Sequence, residues 1–244
     1  MSDGAVGAGG PLAYVRSILF AVWMFGSALV LGMLCLPLML GPRKLGFLPA
    51  KLWARGVFAA LRLLIGLRVE VRGRGNLQPG PCLVACKHQG MLDTLVAVSL
   101  CDDPCIVLKR SLMWIPIFGW YCWKVGVIPI DRAGGARTVR QMVGAARLAL
   151  AQGRQVLIYP EGTRRAPGAE PAYKGGIGML YRELGVACVP VATNSGRVWP
   201  AHGMLKHPGV AIFDVLAPIP PGLARQVFMQ RLERELEQAS LALL

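Results

Sequence analysis

The sequence predicts an α/β fold: a mixed, largely parallel sheet flanked by helices, with an N-terminal apolar helical membrane anchor. Three observations predict it. Strand-like and helix-like segments alternate from residue 67 to the end of the chain, as in parallel strands joined by crossover helices. The strand-like pieces are short apolar runs bounded by Gly and Pro. Residues 17–40, "SILFAVWMFGSALVLGMLCLPLML", carry no charge over 24 positions.

That uncharged run is long enough, at 1.5 Å per residue, to cross a hydrocarbon core of about 30 Å, with Pro37 bending its end. A cleaved signal peptide is the competing reading. It fits less well, because the run exceeds an ordinary signal core and lacks a small-x-small cleavage site. Residues 41–68 then interleave Arg43, Lys44, Lys51, Arg55, Arg62 and Arg68 with Leu, Phe, Trp and Ile. Such a segment suits a helix on an anionic bilayer, or else a core helix whose cations face water. Only Arg16 stands just before the uncharged run, whereas Arg43, Lys44, Lys51 and Arg55 follow it. The positive-inside rule places the main body on the cytoplasmic face of the inner membrane. The predicted organisation is an anchoring region over 1–68 and an α/β domain over 69–244.

Within that domain "LRVEVRG" alternates with period two and predicts a strand, and "CLVACKH" a buried one. "MLDTLVAVSL" predicts a helix and "CIVLK" a short strand. In "RTVRQMVGAARLALAQG", Val139, Val143, Ala146 and Leu150 share one helical face, and Gly153 stops the helix. "QVLIYP" predicts a strand, "GGIGMLYRELG" a helix, and "ACVPVAT" and "VAIFDVLA" two further strands. The last helix spans 223–243, with Phe228, Leu232, Leu236 and Ala239 turned inward.

The chain is 54% hydrophobic and only 16% charged, too oily for an ordinary soluble protein of its 244 residues. Its net charge is +14, yet the cations surround apolar segments and not an aromatic-rich polar surface, which argues against nucleic acid as partner. There are seven cysteines, an odd count with no C-x-x-C and no histidine at zinc-like spacing. No metal site is expected from them, and reduced thiols facing the cytosol are the simpler account.

"KHQGMLDT" sets His88 and Asp93 five residues apart. On one continuous helix those side chains would point about 140° apart. To pair, His88 must lie on the loop leaving "CLVAC", with Asp93 in the first helical turn and Gly90 easing the bend. Asp93 would then hold the imidazole tautomer while His88 takes a proton from a substrate hydroxyl. A solvated loop histidine is the plain alternative. "YPEGTRR" also follows a strand and brings Glu161, Gly162, Thr163 and Arg164 to the same edge, where an Arg fork can grip phosphate. "GVIPIDRAGG" carries Arg132 beside Asp131, and "ACVPVATNSG" bends at Pro190. Taken singly, the first two also fit surface ion pairs and the last a core strand. "LMWIPIFGWYCW" holds three of the six tryptophans. Trp114, Gly119 and Trp120, with Trp123, are candidates to line an apolar tunnel or to sit at a bilayer interface, unless the segment is packed core.

The ordered set "HQGMLD", "GVIPIDR", "EGTR" and "VPVA" resembles the four blocks of the glycerolipid acyltransferase family, over about residues 70–200. The resemblance implies His88 as general base and Asp93 as its partner. It implies Arg132, Glu161, Gly162, Thr163 and Arg164, with Lys109 as a weaker member, as the pocket for a glycerol-phosphate. It implies no cofactor, no metal and no acyl-enzyme: the acceptor hydroxyl attacks an acyl thioester directly. The expected reaction moves a fatty acyl group from acyl-CoA or acyl-carrier protein to the sn-2 hydroxyl of 1-acyl-glycerol-3-phosphate, giving phosphatidic acid. Glycerol-3-phosphate, lyso-ornithine lipid or another lysophospholipid are the alternative acceptors. A non-catalytic lipid-binding protein at the membrane surface is the reading of a different class, and retention of His88, Asp93, Glu161 and Arg164 together argues against it. Three positions depart from the family pattern: Lys87 replaces the common Asn before the histidine, Gly90 the common Ser, and Pro129 the usual Phe.

Overall fold

The computed structural model describes residues 10–132 and 134–244; residues 1–9 of the predicted anchoring region, and Ala133 in the second block, lie outside the described residues. Helix α1 (Pro11–Leu34) starts on Pro11, whose fixed φ and missing N–H suit a first helical turn. It ends at Cys35, and a 3-10 turn (Leu36–Leu40) follows. The uncharged run is thus not one α-helix: Pro37, without an N–H, cannot continue the α-helical hydrogen-bond ladder and sits instead in the first turn of the 3-10 segment. After a second 3-10 turn, α2 (Phe47–Ala60) runs into one π turn (Leu61–Ile65) and stops at Gly66, φ 78°.

The remaining elements alternate as predicted. They are β1 (Leu67–Arg72), β2 (Leu83–Cys86), α3 (Leu92–Leu100), β3 (Pro104–Lys109), α4 (Phe118–Val125) and β4 (Ile128–Ile130). Then come α5 (Gly135–Ala151), β5 (Gln155–Ile158), α6 (Gly175–Leu184), β6 (Cys188–Thr193), the one-turn α7 (Ser195–Val198), β7 (Gly209–Val215) and α8 (Arg225–Ala242). The seven strands form one sheet in the order β1-β7-β6-β2-β5-β3-β4. Strands β2 to β6 run parallel, β7 is antiparallel to β6, and β1 is parallel to β7. The sheet is mixed and largely parallel. One consequence positions the site: the carboxyl ends of β2 to β6 share an edge with the amino ends of β1 and β7.

Helices cover both faces. On one side Phe20 and Met24 of α1, Val57 of α2, Leu61 and Ile65 pack with Leu95 and Val96 of α3 against the sheet. On the other side lie Met142 and Ala146 of α5, Ile177 and Leu180 of α6, and Phe228, Leu232 and Leu236 of α8. The predicted α8 stripe is the one that is buried. On α5 the buried line is Met142, Ala146 and Ala149, with Val139, Val143 and Leu150 half-buried beside it. The N-terminal helices share a core with the sheet. Arg43 also forks onto Asp103 at 2.7 and 2.6 Å, and Arg154 meets the same carboxylate at 3.3 Å. That ion pair holds the Asp103 carboxyl below its ordinary range, chiefly through the Arg43 hydrogen bonds. Arg43 thus ties the anchoring region to the domain.

Candidate active site

The backbone N–H of Lys87 donates to Val191 O (2.9 Å), extending the β2–β6 ladder one residue before the chain turns away. His88 is the next residue. Its Nδ1 lies 3.0 Å from Asp93 Oδ2, with Asp93 in the first turn of α3. The same oxygen accepts the backbone N–H groups of Gln89 (2.6 Å) and Gly90 (2.8 Å), and Oδ1 accepts the hydroxyl of Ser195. Asp93 is 1% exposed, and its three partners besides His88 are all donors. It therefore sits as an acceptor-only carboxylate, which assigns the imidazole proton to Nδ1 and leaves Nε2 as the basic nitrogen. The Tyr159 ring stacks on the imidazole at 4.1 Å between centroids and 27° between planes, holding it from the side. Arg165 N–H donates to His88 O (2.9 Å), so the loop after β5 is bonded to the loop after β2.

Sequence reasoning missed four of these supports. Ser195 stands in the quoted "ACVPVATNSG", but nothing local marks it as the partner of a carboxylate 102 positions away. Gln89 Oε1 receives Gly196 N–H at 3.0 Å, tying the same two blocks together. Tyr159 precedes "PEGTRR" and looks like the last strand residue. Lys87 looks like a solvated cation, yet is 3% exposed. The departure at Gly90 gains a physical reason: a Cβ there would lie 2.6 Å from Trp199 O, so a serine does not fit without moving that backbone.

Glu161 is buried, and Lys87 Nζ donates to its Oε1 at 3.2 Å. Burial pushes its carboxyl above the ordinary range, and Lys87 opposes the rise. Gly162 takes φ 68° in the turn that brings Thr163 and Arg164 out to solvent. Strand order places the Arg164 loop one strand from His88, with Lys109 and Arg132 two and three strands away, roughly 10 and 14 Å along the edge at 4.8 Å per strand. All three cations are exposed, and among the described residues they make no hydrogen bond or ion pair.

The tryptophans of the expected pocket segment lie at the surface. Trp114, Trp120 and Trp123 are 83%, 50% and 75% exposed, beside exposed Leu112, Ile115 and Phe118. They are not packed core. The reason is local: α4 spends its inward face on Gly119, Cys122 and Val125, which leaves the indoles outside. Gly119 is a packing point, since a Cβ there would lie 2.0 Å from Met113 O. A sheet-edge imidazole paired with a saturated carboxylate, with exposed cations alongside, is an arrangement able to take a proton from a hydroxyl on an anionic substrate.

The comparisons with known proteins agree in class. A model of the acyltransferase family matches residues 68–194. A 1-acyl-sn-glycerol-3-phosphate acyltransferase of Pseudomonas aeruginosa is 32% identical over 198 residues, 80% of this chain and 77% of that protein. The human 1-acyl-sn-glycerol-3-phosphate acyltransferase alpha is 35% identical over 137 residues, 55% of this chain and 48% of that one. The crystal structure of the Thermotoga maritima 1-acyl-sn-glycerophosphate acyltransferase superposes with a TM-score of 0.71 at 20% identity, covering 94% of this chain and 93% of that one. The chain belongs to the acyltransferase family.

Proposed function

We propose that this acyltransferase moves a fatty acyl group from acyl-CoA or acyl-carrier protein to the sn-2 hydroxyl of 1-acyl-glycerol-3-phosphate, giving phosphatidic acid. The observation that carries the reading is the His88–Asp93 pair with Nε2 free. Nε2 takes the hydroxyl proton as the oxygen attacks the thioester carbon. The tetrahedral intermediate collapses, the C–S bond breaks, and the imidazolium returns its proton to the departing thiolate. Asp93 stabilises the imidazolium between those steps. Arg164, with Arg132 and Lys109 along the edge, holds the phosphate; a forked Arg contact of this kind contributes about 1.5–3 kcal/mol.

The acceptor is a lipid, and the exposed apolar surface fits a bilayer. Helix α1 is long and apolar enough to cross a membrane. However, Ser17, Phe20, Met24 and Gly32 are buried against the rest of the chain, over about 22 Å of helix at 1.5 Å per residue. A helix held to its own domain over that length favours seating in the interface, with Leu19, Val22, Leu29 and Val30 facing the acyl region, over a free crossing. Trp114, Trp120 and Trp123 suit the headgroup layer of the same surface, the cytoplasmic face of the inner membrane in this reading.

The test is purified protein with labelled acyl-CoA or acyl-carrier protein and a panel of acceptors: lysophosphatidic acid, glycerol-3-phosphate, lyso-ornithine lipid and zwitterionic lysophospholipids. Labelled phosphatidic acid is the expected product, reduced at least about 10²-fold in His88→Ala. Transfer to another acceptor alone, or an unchanged rate in His88→Ala, overturns the reading.

A further inference from the structure

Behind Glu161 lies a buried charge cluster that the reaction as described does not use. Lys87 Nζ donates to Glu161 Oε1 (3.2 Å) and to Glu237 Oε1 of α8 (2.5 Å), and it lies 5.8 Å from the Tyr173 ring centre. Tyr173 also donates its hydroxyl to Glu237 Oε1 at 2.8 Å. Arg165 Nε approaches Glu161 at 3.7 Å, an ion pair too long for a hydrogen bond. The Lys174 stem passes Gly162, and Glu233 adds negative charge near Tyr173. Around Glu161, then, are Lys87 from the β2 end, Arg165 from its own loop, and Glu237 and Tyr173 from beyond. Its second oxygen, Oε2, is buried with no hydrogen-bond partner among the described residues.

Charge explains why these residues occur together. The family pattern places a neutral Asn where this chain has Lys87. A buried lysine needs an anion, and a buried carboxylate with a half-buried one beside it needs a cation. Lys87 and Glu237 each make the other tolerable, and they meet on the carboxylate of the "EGTR" block. We propose that Lys87 is a positioning residue that keeps Glu161 ionised and oriented, with Glu237 of α8 as its counter-charge, so that the last helix of the chain is part of the acceptor site. Lys87 touches no substrate in this account; it acts through Glu161.

The inference rests on the acyl-transfer reading for its kinetic arm only. In Lys87→Asn, Glu161 and Glu237 keep their charges without the shared ammonium. Protonation of Glu161 becomes easier, and the acidic limb of acceptor kcat/KM moves up by about one pH unit. At pH 7 the acceptor KM rises about fivefold or more, with kcat within about twofold. In Glu237→Gln, which keeps an oxygen for Lys87 and Tyr173, the limb moves the other way. The double variant Lys87→Asn/Glu237→Gln returns toward wild type.

Thermal melts supply an arm that needs no substrate. A carboxyl raised in the folded state binds more protons there, so stability falls as pH rises through the raised value. The melting-temperature gap between wild type and Lys87→Asn should widen from pH 5 to pH 8, and Glu237→Gln should close it. If Lys87→Asn fails to fold, Glu237→Gln and the double variant carry the test. A limb that moves in none of the variants, a double variant no better than Lys87→Asn, or a melting gap constant with pH overturns the proposal. Absence of acyl transfer in the wild type would sink the acyltransferase substrate reading instead, and the melts would still decide Lys87.

Discussion

Replacing Asp93 with Asn tests the base with little else disturbed. Asp93→Ala would not, because it removes the acceptor for the buried N–H groups of Gln89 and Gly90. Each orphaned donor costs about 1–3 kcal/mol, a large share of a domain's whole stability. An asparagine has one orientation that fits. Its amide nitrogen faces Ser195, whose hydroxyl can turn to accept, and its oxygen keeps Gln89, Gly90 and His88 Nδ1. What disappears is the negative charge 3.0 Å from the imidazole. A unit pair about 4 Å apart at an effective dielectric near 20 is worth about 4 kcal/mol, an upper bound on the lost imidazolium stabilisation. With about 1.4 kcal/mol per tenfold, kcat should fall about 10²–10³-fold. The assay is steady-state acyl transfer at saturating donor and acceptor, with far-UV circular dichroism and melting to confirm the fold. Both KM values should stay within about threefold. A folded Asp93→Asn protein with kcat within about threefold of wild type would refute the dyad.

Ser195→Ala should cost about 1 kcal/mol of stability and about tenfold in kcat, read from melts and steady-state rates, because it removes one donor to Asp93 and leaves the others. Gly119→Ala should lower the melting temperature sharply, since its Cβ would meet Met113 O at 2.0 Å, whereas Gly144→Ala, with open space around it in α5, should stabilise by about 0.5–1 kcal/mol. Arg43→Ala should destabilise at neutral pH and progressively less in acid: the lowered Asp103 carboxyl stabilises the fold above its ordinary pKa, and that contribution is lost as pH falls through the depressed folded value. Melts of both proteins from pH 7 to pH 3 check it, and a gap constant with pH would contradict it.

What was legible in the sequence is what short stretches encode. "CLVACKH" and "QVLIYP" have the apolar run length of covered strands, and the α8 stripe recurs at helical spacing, so these elements could be placed without the structure. The need for His88 to sit off the helix and Asp93 on it also follows from five residues and the helical pitch. The largely parallel sheet was legible from the alternation of strands and helices, but which strand runs against the rest was not, because that depends on which strands pair. Nothing in "VAIFDVLA" says that β7 runs against β6. Ser195, Tyr159 and Glu237 were missed for the same reason: each reaches the site from a distant part of the chain. Lys87 stood out only as a departure from the family pattern, and its burial was hidden for a different reason. A lysine carries a strong prior of solvation, and only two carboxylates folded over it overturn that prior. The tryptophans of α4 could be read either way, since an interfacial and a lining indole have the same local sequence.

The reversed pair β1 and β7 decides how the anchoring region meets the chemistry. Had β1 run with β2 to β6, the chain would leave α2 and enter the sheet at the opposite edge, far from His88. Because it runs the other way, Leu67 and its partner Gly209 stand at the edge that carries His88, and α1 and α2 must lie close by. The contacts follow that geometry. Phe20 of α1 meets Trp199 edge-on at 5.5 Å, and Lys206 N–H donates to Ser17 Oγ at 3.1 Å. Trp199 O in turn leaves Gly90 no room for a side chain, and Gly90 N–H holds Asp93. A continuous line of packed groups runs from the apolar helix to the carboxylate behind the base. Seating of α1 in a bilayer would therefore fix the position of His88 relative to that surface.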